Sequence, residues 1–187
     1  EGLKTIMPRA FIGCTSLEEI VIPDSVQSIG VRAFNNCTAL KKAVLGEGFE
    51  LVTLKEVGIT EDIPETGETL DENASIKAQY VYERTGLDCF ADDTGLEVAA
   101  LNGAPGVRSA RYATDGHDFA ANNRKLLREL EGVADRRARF RTVISLIRGG
   151  VEQQVEGIVR GTIATEESGC EGFGYDPLFM VDGKSFA

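Results

Sequence analysis

Histidine is almost missing: His117 is the only one in 187 residues and lies in a polar stretch, which argues against histidine-based catalysis and histidine-rich metal sites. Cysteine is scarce as well. Cys14, Cys37, Cys89 and Cys170 have neither metal-ligand spacing nor the density of a secreted disulfide scaffold, so free, mostly buried thiols are expected. The chain also lacks an excess of positive charge. A net charge of −10 removes the basic surface on which a sequence-independent grip on nucleic acid depends. An anionic substrate would therefore need a local device, such as a metal ion or a few aimed lysines. No apolar run is long enough to span a membrane and no signal peptide is visible, so a cytoplasmic protein with neither nucleic acid nor membrane as partner is expected. The chain opens on Glu1 rather than methionine, and its natural beginning is expected upstream.

A composition this ordinary supports one large domain or two small ones, and the pattern favours two. Ala10-Phe11-Ile12-Gly13-Cys14-Thr15-Ser16-Leu17 returns as Ala33-Phe34-Asn35-Asn36-Cys37-Thr38-Ala39-Leu40, an offset of 23 residues. Leu17 to Pro23 alternates like a short strand, and Pro23-Asp24-Ser25 is a turn. This segment resembles the BspA-type leucine-rich repeat, which implies a solenoid with Phe11, Phe34, Cys14 and Cys37 stacked along its core. Two repeats bury too little to stand alone, so residues 1 to 45 are expected to be the end of a longer array. The net negative charge lies beyond the repeat, because residues 1 to 48 hold five basic and five acidic side chains.

In the second part, Phe49 to Leu54 reads as a strand. Residues 61 to 69 read as a loop, and Leu70 to Arg84 as a helix closed by Gly86. Leu70, Ala74, Ala78 and Val81 form its apolar stripe, and Thr69 with Glu72 fits a capping box. Asn73, Lys77 and Tyr80 form a second stripe, on which a lysine is ordinarily a solvated surface residue. Asp118 can cap a helix to Glu131, with Gly132 as its stop. Arg139 to Ile147 and Val151 to Ile163 read as long strands joined at Gly149-Gly150. Arg137, Arg139 and Arg141 share one strand face, by default an outer one. Gly169 to Pro177 is a glycine-rich loop with two aromatics and an acid, in which an exposed aromatic could stack on a flat ring.

The chemistry concentrates at Cys89 to Val98, an apolar strand that ends in adjacent carboxylates. Asp92 and Asp93 should point to opposite faces, so only one of them can face a given pocket. Thr94-Gly95 is read as letting the chain turn. A second acid brought alongside either one would call for a divalent cation or a raised pKa. The alternative is a solvated strand end.

Taken together, the stretches Glu65-Thr66-Gly67-Glu68-Thr69, Ala91-Asp92-Asp93-Thr94-Gly95-Leu96, Gly103-Ala104-Pro105-Gly106 with Ser109-Ala110-Arg111-Tyr112, and Gly172-Phe173-Gly174-Tyr175-Asp176-Pro177 resemble the inosine triphosphate pyrophosphatase family over residues 46 to 187. The resemblance implies an α/β fold with a long, strongly bent mixed sheet and two lobes around a nucleotide cleft, usually as a homodimer. It implies Mg²⁺-dependent hydrolysis of ITP, dITP or XTP to the monophosphate and pyrophosphate. By position, Asp93 would activate the attacking water and help hold the metal, with Glu65 a second ligand and Asp92 a contributor. Lys77 would meet phosphate, Thr94 would lie at the substrate, and Phe173, Gly174, Tyr175 and Asp176 would form the wall beside the purine. The family's N-terminal lysine loop and C-terminal Ser-His-Arg segment have no counterpart here, apart from a faint imitation at Asn35 to Ala39 with Lys41 or Lys42 nearby. An activity weakened at both ends is therefore expected. The rival expectation is an adhesion or protein-binding solenoid with a passive pyrophosphatase-like part.

Overall fold

The 23-residue repeat sets the strand pairing of the first fifty residues. In the computed structural model, which describes residues 2–26, 28–29, 33–34, 37–45, 50–169 and 173–185, five short strands open the chain. These are β1 (Thr5–Ile6), β2 (Glu19–Ile22), β3 (Ser28–Ile29), β4 (Lys42–Leu45) and β5 (Glu50–Leu51). β1 pairs in parallel with β3, Thr5 opposite Ser28, and β2 in parallel with β4, Glu19 opposite Lys42. In these parallel pairs each partner is one repeat away, so equivalent positions of the two copies stack, while β5 joins β4 antiparallel, Ala43 opposite Leu51. The Phe11 and Phe34 rings lie 5.1 Å apart and 7° from parallel, against a small core of Ile6, Ile22 and Ala33. The Cys37 thiol donates to the Phe11 carbonyl at 3.0 Å. Cys14 is exposed, which corrects the expectation that both cysteines are buried. The expected strand at Phe49 to Leu54 is reduced to β5, and Phe49 lies outside the described residues.

The chain divides into two compact units, Glu1–Glu61 and Asp62–Ala187. In the second, α1 (Leu70–Thr85) begins at the capping box expected of its sequence. The Thr69 hydroxyl accepts from the Glu72 amide, and the Glu72 carboxylate accepts from the Thr69 amide. Such a cap stabilises by about 1 kcal/mol. Gly86 ends the helix in the left-handed conformation, φ 66°, that glycine tolerates best. Then come β6 (Cys89–Val98), α2 (Phe119–Glu129) capped by Asp118, β7 (Arg137–Arg148), β8 (Val151–Ile163), β9 (Phe179–Val181) and β10 (Lys184–Ser185).

The sheet runs β10-β9-β8-β7-β6, and every neighbouring pair is antiparallel. The mixed sheet expected from the resemblance is therefore corrected: parallel pairs among the described residues belong to the first unit. A hairpin at Gly149-Gly150 makes β7 and β8 antiparallel, with Arg148 opposite Val151.

Alternation along β6 separates core from chemistry. Leu96 and Val98 point to the face that packs with Leu126, Leu130, Ile163, Leu178 and Phe179. Asp93 and its register partner Val143 point the other way, toward Leu70 and Ala74 of α1. Gly95 does not turn the chain, because β6 runs through it to Val98. A Cβ on Gly95 would stand 2.4 Å from the Gly106 carbonyl oxygen, so its role is to let the segment Gly106–Arg111 lie against the strand.

Candidate active site

Three residues from separate stretches of sequence meet under α1. Lys77 donates to Asp93 Oδ1 at 2.8 Å and to Glu65 Oε1 at 3.2 Å. Arg111 donates to the other Glu65 oxygen, Oε2. Asn73, one helical turn before Lys77 on the same face, is buried and joins loop to strand. Its amide oxygen accepts from the Gly67 N–H at 2.8 Å, and its amide nitrogen reaches Asp93 Oδ2 at 3.4 Å. Gly67 has no room for a side chain there, since a Cβ would meet Glu72 Cβ at 2.6 Å. The loop carrying Glu65 is thereby pressed onto α1.

Partial burial gives this cluster its electrostatics. Burial raises the pKa of Asp93 above the usual carboxylate range; Lys77 opposes that shift, Glu65 adds to it and Asn73 opposes it. Burial works against the charge of Lys77, but Asp93 and Glu65 outweigh it and hold the lysine above its ordinary value. The result is a fixed cation beside a carboxylate that accepts a proton more readily than a solvated aspartate does. Beside it lies a cavity of about 240 Å³, lined in part by Glu65, Asn73, Arg108 and Arg111.

Arg111 was not singled out by the sequence, and the framework that places it could not be read locally. The Tyr175 hydroxyl donates to the Ser109 carbonyl at 2.9 Å, and the Asn122 side chain donates to the Ser109 and Ala110 carbonyls. The Ser109 hydroxyl in turn accepts from the Leu96 amide at 2.8 Å. A strand, a helix and the glycine-rich loop thus fix one short segment. The recurrence of Asn73 with Lys77 on one helical stripe was the available signal for Asn73.

Other expected site residues lie elsewhere. Asp92 and Thr94 are on the opposite face of β6, where Thr94 bonds Thr142 at 2.9 Å and contacts Asp92 at 3.4 Å. Phe173 projects into solvent at 71% exposure, its ring edge against Phe119. Tyr175 and Asp176 are buried: Tyr175 belongs to the core, and Asp176 accepts from the Phe173 amide at 2.9 Å, so both support the loop. Gly174 supplies the loop's left-handed step, φ 60°. Cys170 to Gly172 lie outside the described residues, as do Asn35 and Asn36. Lys41 and Lys42 pair with Glu18 and Glu19 in their own unit, at 3.9 and 3.7 Å.

Among the described residues no three His, Cys, Asp or Glu side chains gather as a metal-binding group. Glu65 and Asp93 are nevertheless hard oxygen donors facing a common lysine. Two carboxylates suit Mg²⁺, which commonly takes its remaining ligands from water and substrate phosphate.

The profile of the Ham1 family matches residues 32–187, so the match begins inside the second copy of the repeat rather than near residue 46. The chain is 54% identical over 140 residues to a dITP/XTP pyrophosphatase of Christiangramia forsetii, covering 74% of each chain. It is 54% identical over 139 residues to that of Porphyromonas gingivalis, covering 74% of this chain and 72% of the other. Among solved structures, the Ham1 protein of Staphylococcus aureus aligns with a TM-score of 0.68 at 35% identity, over 90% of this chain and 85% of that one. A dITP/XTP pyrophosphatase of Mycobacterium abscessus aligns with a TM-score of 0.67 at 44% identity, over 74% of each.

Proposed function

This chain belongs to the Ham1 family, and on that footing we propose which of its residues carry the family's reaction. The protein is a nucleoside triphosphate pyrophosphatase that hydrolyses non-canonical purine nucleoside triphosphates. Water adds to the α-phosphorus, the bond from that phosphorus to the bridging oxygen breaks, and pyrophosphate leaves. The observation that carries the assignment of roles is Asp93 held between Lys77 and Asn73, with Glu65 across the same lysine.

Asp93 takes the proton from the attacking water. Its raised pKa suits it to hold that proton, and Lys77 and Asn73 fix its orientation. Lys77 and Arg111 are poised for phosphate: both sit on Glu65, and an arriving polyphosphate offers them a denser negative charge than one carboxylate does. Glu65 and Asp93 would hold Mg²⁺, which supplies charge neutralisation along the triphosphate. Asp92, on the other face of β6, is left out of this set. Phe173 is the surface on which a purine would stack.

Several finer features belong to the same reading. A homodimer is supported by apolar side chains left exposed in neighbouring rows on the sheet face opposite α1, namely Phe90, Leu146, Ile144 and Val155. A cytoplasmic site of action is part of this reading, because nucleoside triphosphates are the substrate; separately, no described helix is long and apolar enough to cross a membrane. The first unit is a two-repeat piece of a BspA-type leucine-rich-repeat solenoid, supported by strand partners 23 residues apart and by the Phe11-Phe34 stack.

The test is pyrophosphate release from XTP, dITP and ATP in the presence of Mg²⁺. Turnover of XTP and dITP well above ATP is expected. Mg²⁺ should also raise stability by mass action, by about 2.7 kcal/mol at a hundred times its dissociation constant, and the melting temperature with it. Equal stabilisation of wild type and Asp93→Asn would remove Asp93 from the metal set.

A further inference from the structure

A second cavity, about 510 Å³ in volume, opens on the α1 face of the sheet further along β6, and its charge is opposite to that of the protein. Arg137, Arg139 and Arg160 line it together with Glu97, Ala99 and Gly103. Asp93 and Glu97 share a strand face four residues apart, which separates the two sites by about 13 Å along β6. Arg139 and Arg160 are direct register partners on β7 and β8. Like charges placed opposite each other destabilise a sheet unless something neutralises them.

The acids available answer only part of that charge. Asp135 takes Arg137 through two bonds, at 2.9 and 2.7 Å. Glu97 takes Arg139 through Nε alone. The Arg160 side chain has no ion pair or hydrogen bond among the described residues, and the terminal amino groups of Arg139 have none either. Two guanidinium forks thus share one cavity with unused donors, in a chain whose net charge is −10. Guanidinium forks match the paired oxygens of phosphate groups, which they bind bidentately. The volume lies in the range of small-ligand sites, on the order of 300 to 1,000 Å³.

We propose that Arg139 and Arg160 form a binding site, separate from the Asp93 cluster, for the diphosphate group of a small anion. Free pyrophosphate and the phosphate tail of a nucleotide share this chemistry. Because the site lies on the same protein that releases pyrophosphate, its occupancy would follow the product or the nucleotide pool.

The experiment is isothermal titration of the full chain with sodium pyrophosphate in EDTA, with ATP titrated in parallel. Arg160→Gln should weaken an identifiable binding event at least tenfold, and Arg160→Lys, which keeps the charge and loses the fork, should fall between. That event should persist in Lys77→Met, which alters the Asp93 cluster instead. A melting temperature unchanged from wild type shows that the variant is folded, and Arg160→Lys replaces Arg160→Gln if it is not. Equal loss for pyrophosphate and ATP supports recognition of the diphosphate itself. The proposal is overturned if wild type binds no pyrophosphate, if Arg160→Gln binds it as wild type does, or if Lys77→Met removes all binding. Binding of ATP without binding of pyrophosphate overturns it as well.

Discussion

The two units place charge in opposite ways. In Glu1–Glu61 the ion pairs Lys41–Glu18 and Lys42–Glu19 are surface contacts between neighbouring strands of a ladder, and such contacts contribute little. In Asp62–Ala187, Lys77 and Asp93 are only 17% and 13% exposed and hold each other at 2.8 Å. The difference comes from scaffold length. Two- to four-residue strands and a three-residue core bury apolar stacks but cannot enclose a charged pair. A ten-residue strand under a sixteen-residue helix can. Partial burial is also what moves the pKa of Asp93, and chemistry requires such a shift.

The comparison breaks most sharply at Asp93. Asp93→Asn should cut XTP hydrolysis by roughly 10² to 10⁴, the usual range for a positioned acid-base group, while Phe34→Ala in the first unit leaves turnover unchanged. Pyrophosphate release from both variants checks this, and comparable losses would erase the functional distinction between the units.

Gly95→Ala comes next. The added Cβ would press on the Gly106 carbonyl, and overpacking of this kind costs about 1 to 3 kcal/mol. The melting transition of the second unit should fall, and the Michaelis constant should rise as the Arg111 segment shifts. An unchanged melting temperature would show that the segment yields freely and does not define the site.

A smaller effect is expected where only stacking is lost. Phe34→Ala should destabilise the first unit by about 1 to 2 kcal/mol, the stacked pair contributing part of this beyond area burial. Hydrogen exchange should then quicken at β1 to β4 and stay slow at β6. Faster exchange at β6 would couple the units energetically.

The smallest effect concerns Arg141, which holds Asp71 through two bonds of 2.9 Å and Glu156 at 2.8 Å. Bonding to Arg141 lowers the pKa of Asp71 below 3.8. The contribution is therefore present above the unfolded value and is lost as the pH falls through the folded one. Arg141→Gln should lower stability by about 0.5 kcal/mol at neutral pH, as expected for a pair whose acids are about half exposed, and the deficit should vanish in strong acid. A deficit that persists there would assign Arg141 to packing instead.

Much of the scaffold was legible because local physics dictates it. The capping box of Thr69 and Glu72, the Gly86 stop, the Asp118 cap and the Gly149-Gly150 hairpin each depend on residues within one turn of chain, and each formed where the sequence placed it. The opposite facing of Asp92 and Asp93 likewise needed only strand alternation. The role of Gly95 and the anchoring of Tyr175 were not legible for one reason. Gly95 looks like a turn residue until a segment eleven positions away lies against it, and nothing near Tyr175 in sequence tells that its hydroxyl bonds Ser109 in the core.

What the sequence determined by itself was therefore the two helices and three long strands of the second unit, the repeat period, and the presence of an acid-bearing strand and a lysine-bearing helix. Tertiary structure alone decided that the second unit's sheet is antiparallel, that Arg111 and Lys77 share Glu65, and that two arginines face each other across β7 and β8. Register and packing between distant segments set these contacts. No local preference encodes them, because each partner would be an ordinary surface residue in its own stretch of chain.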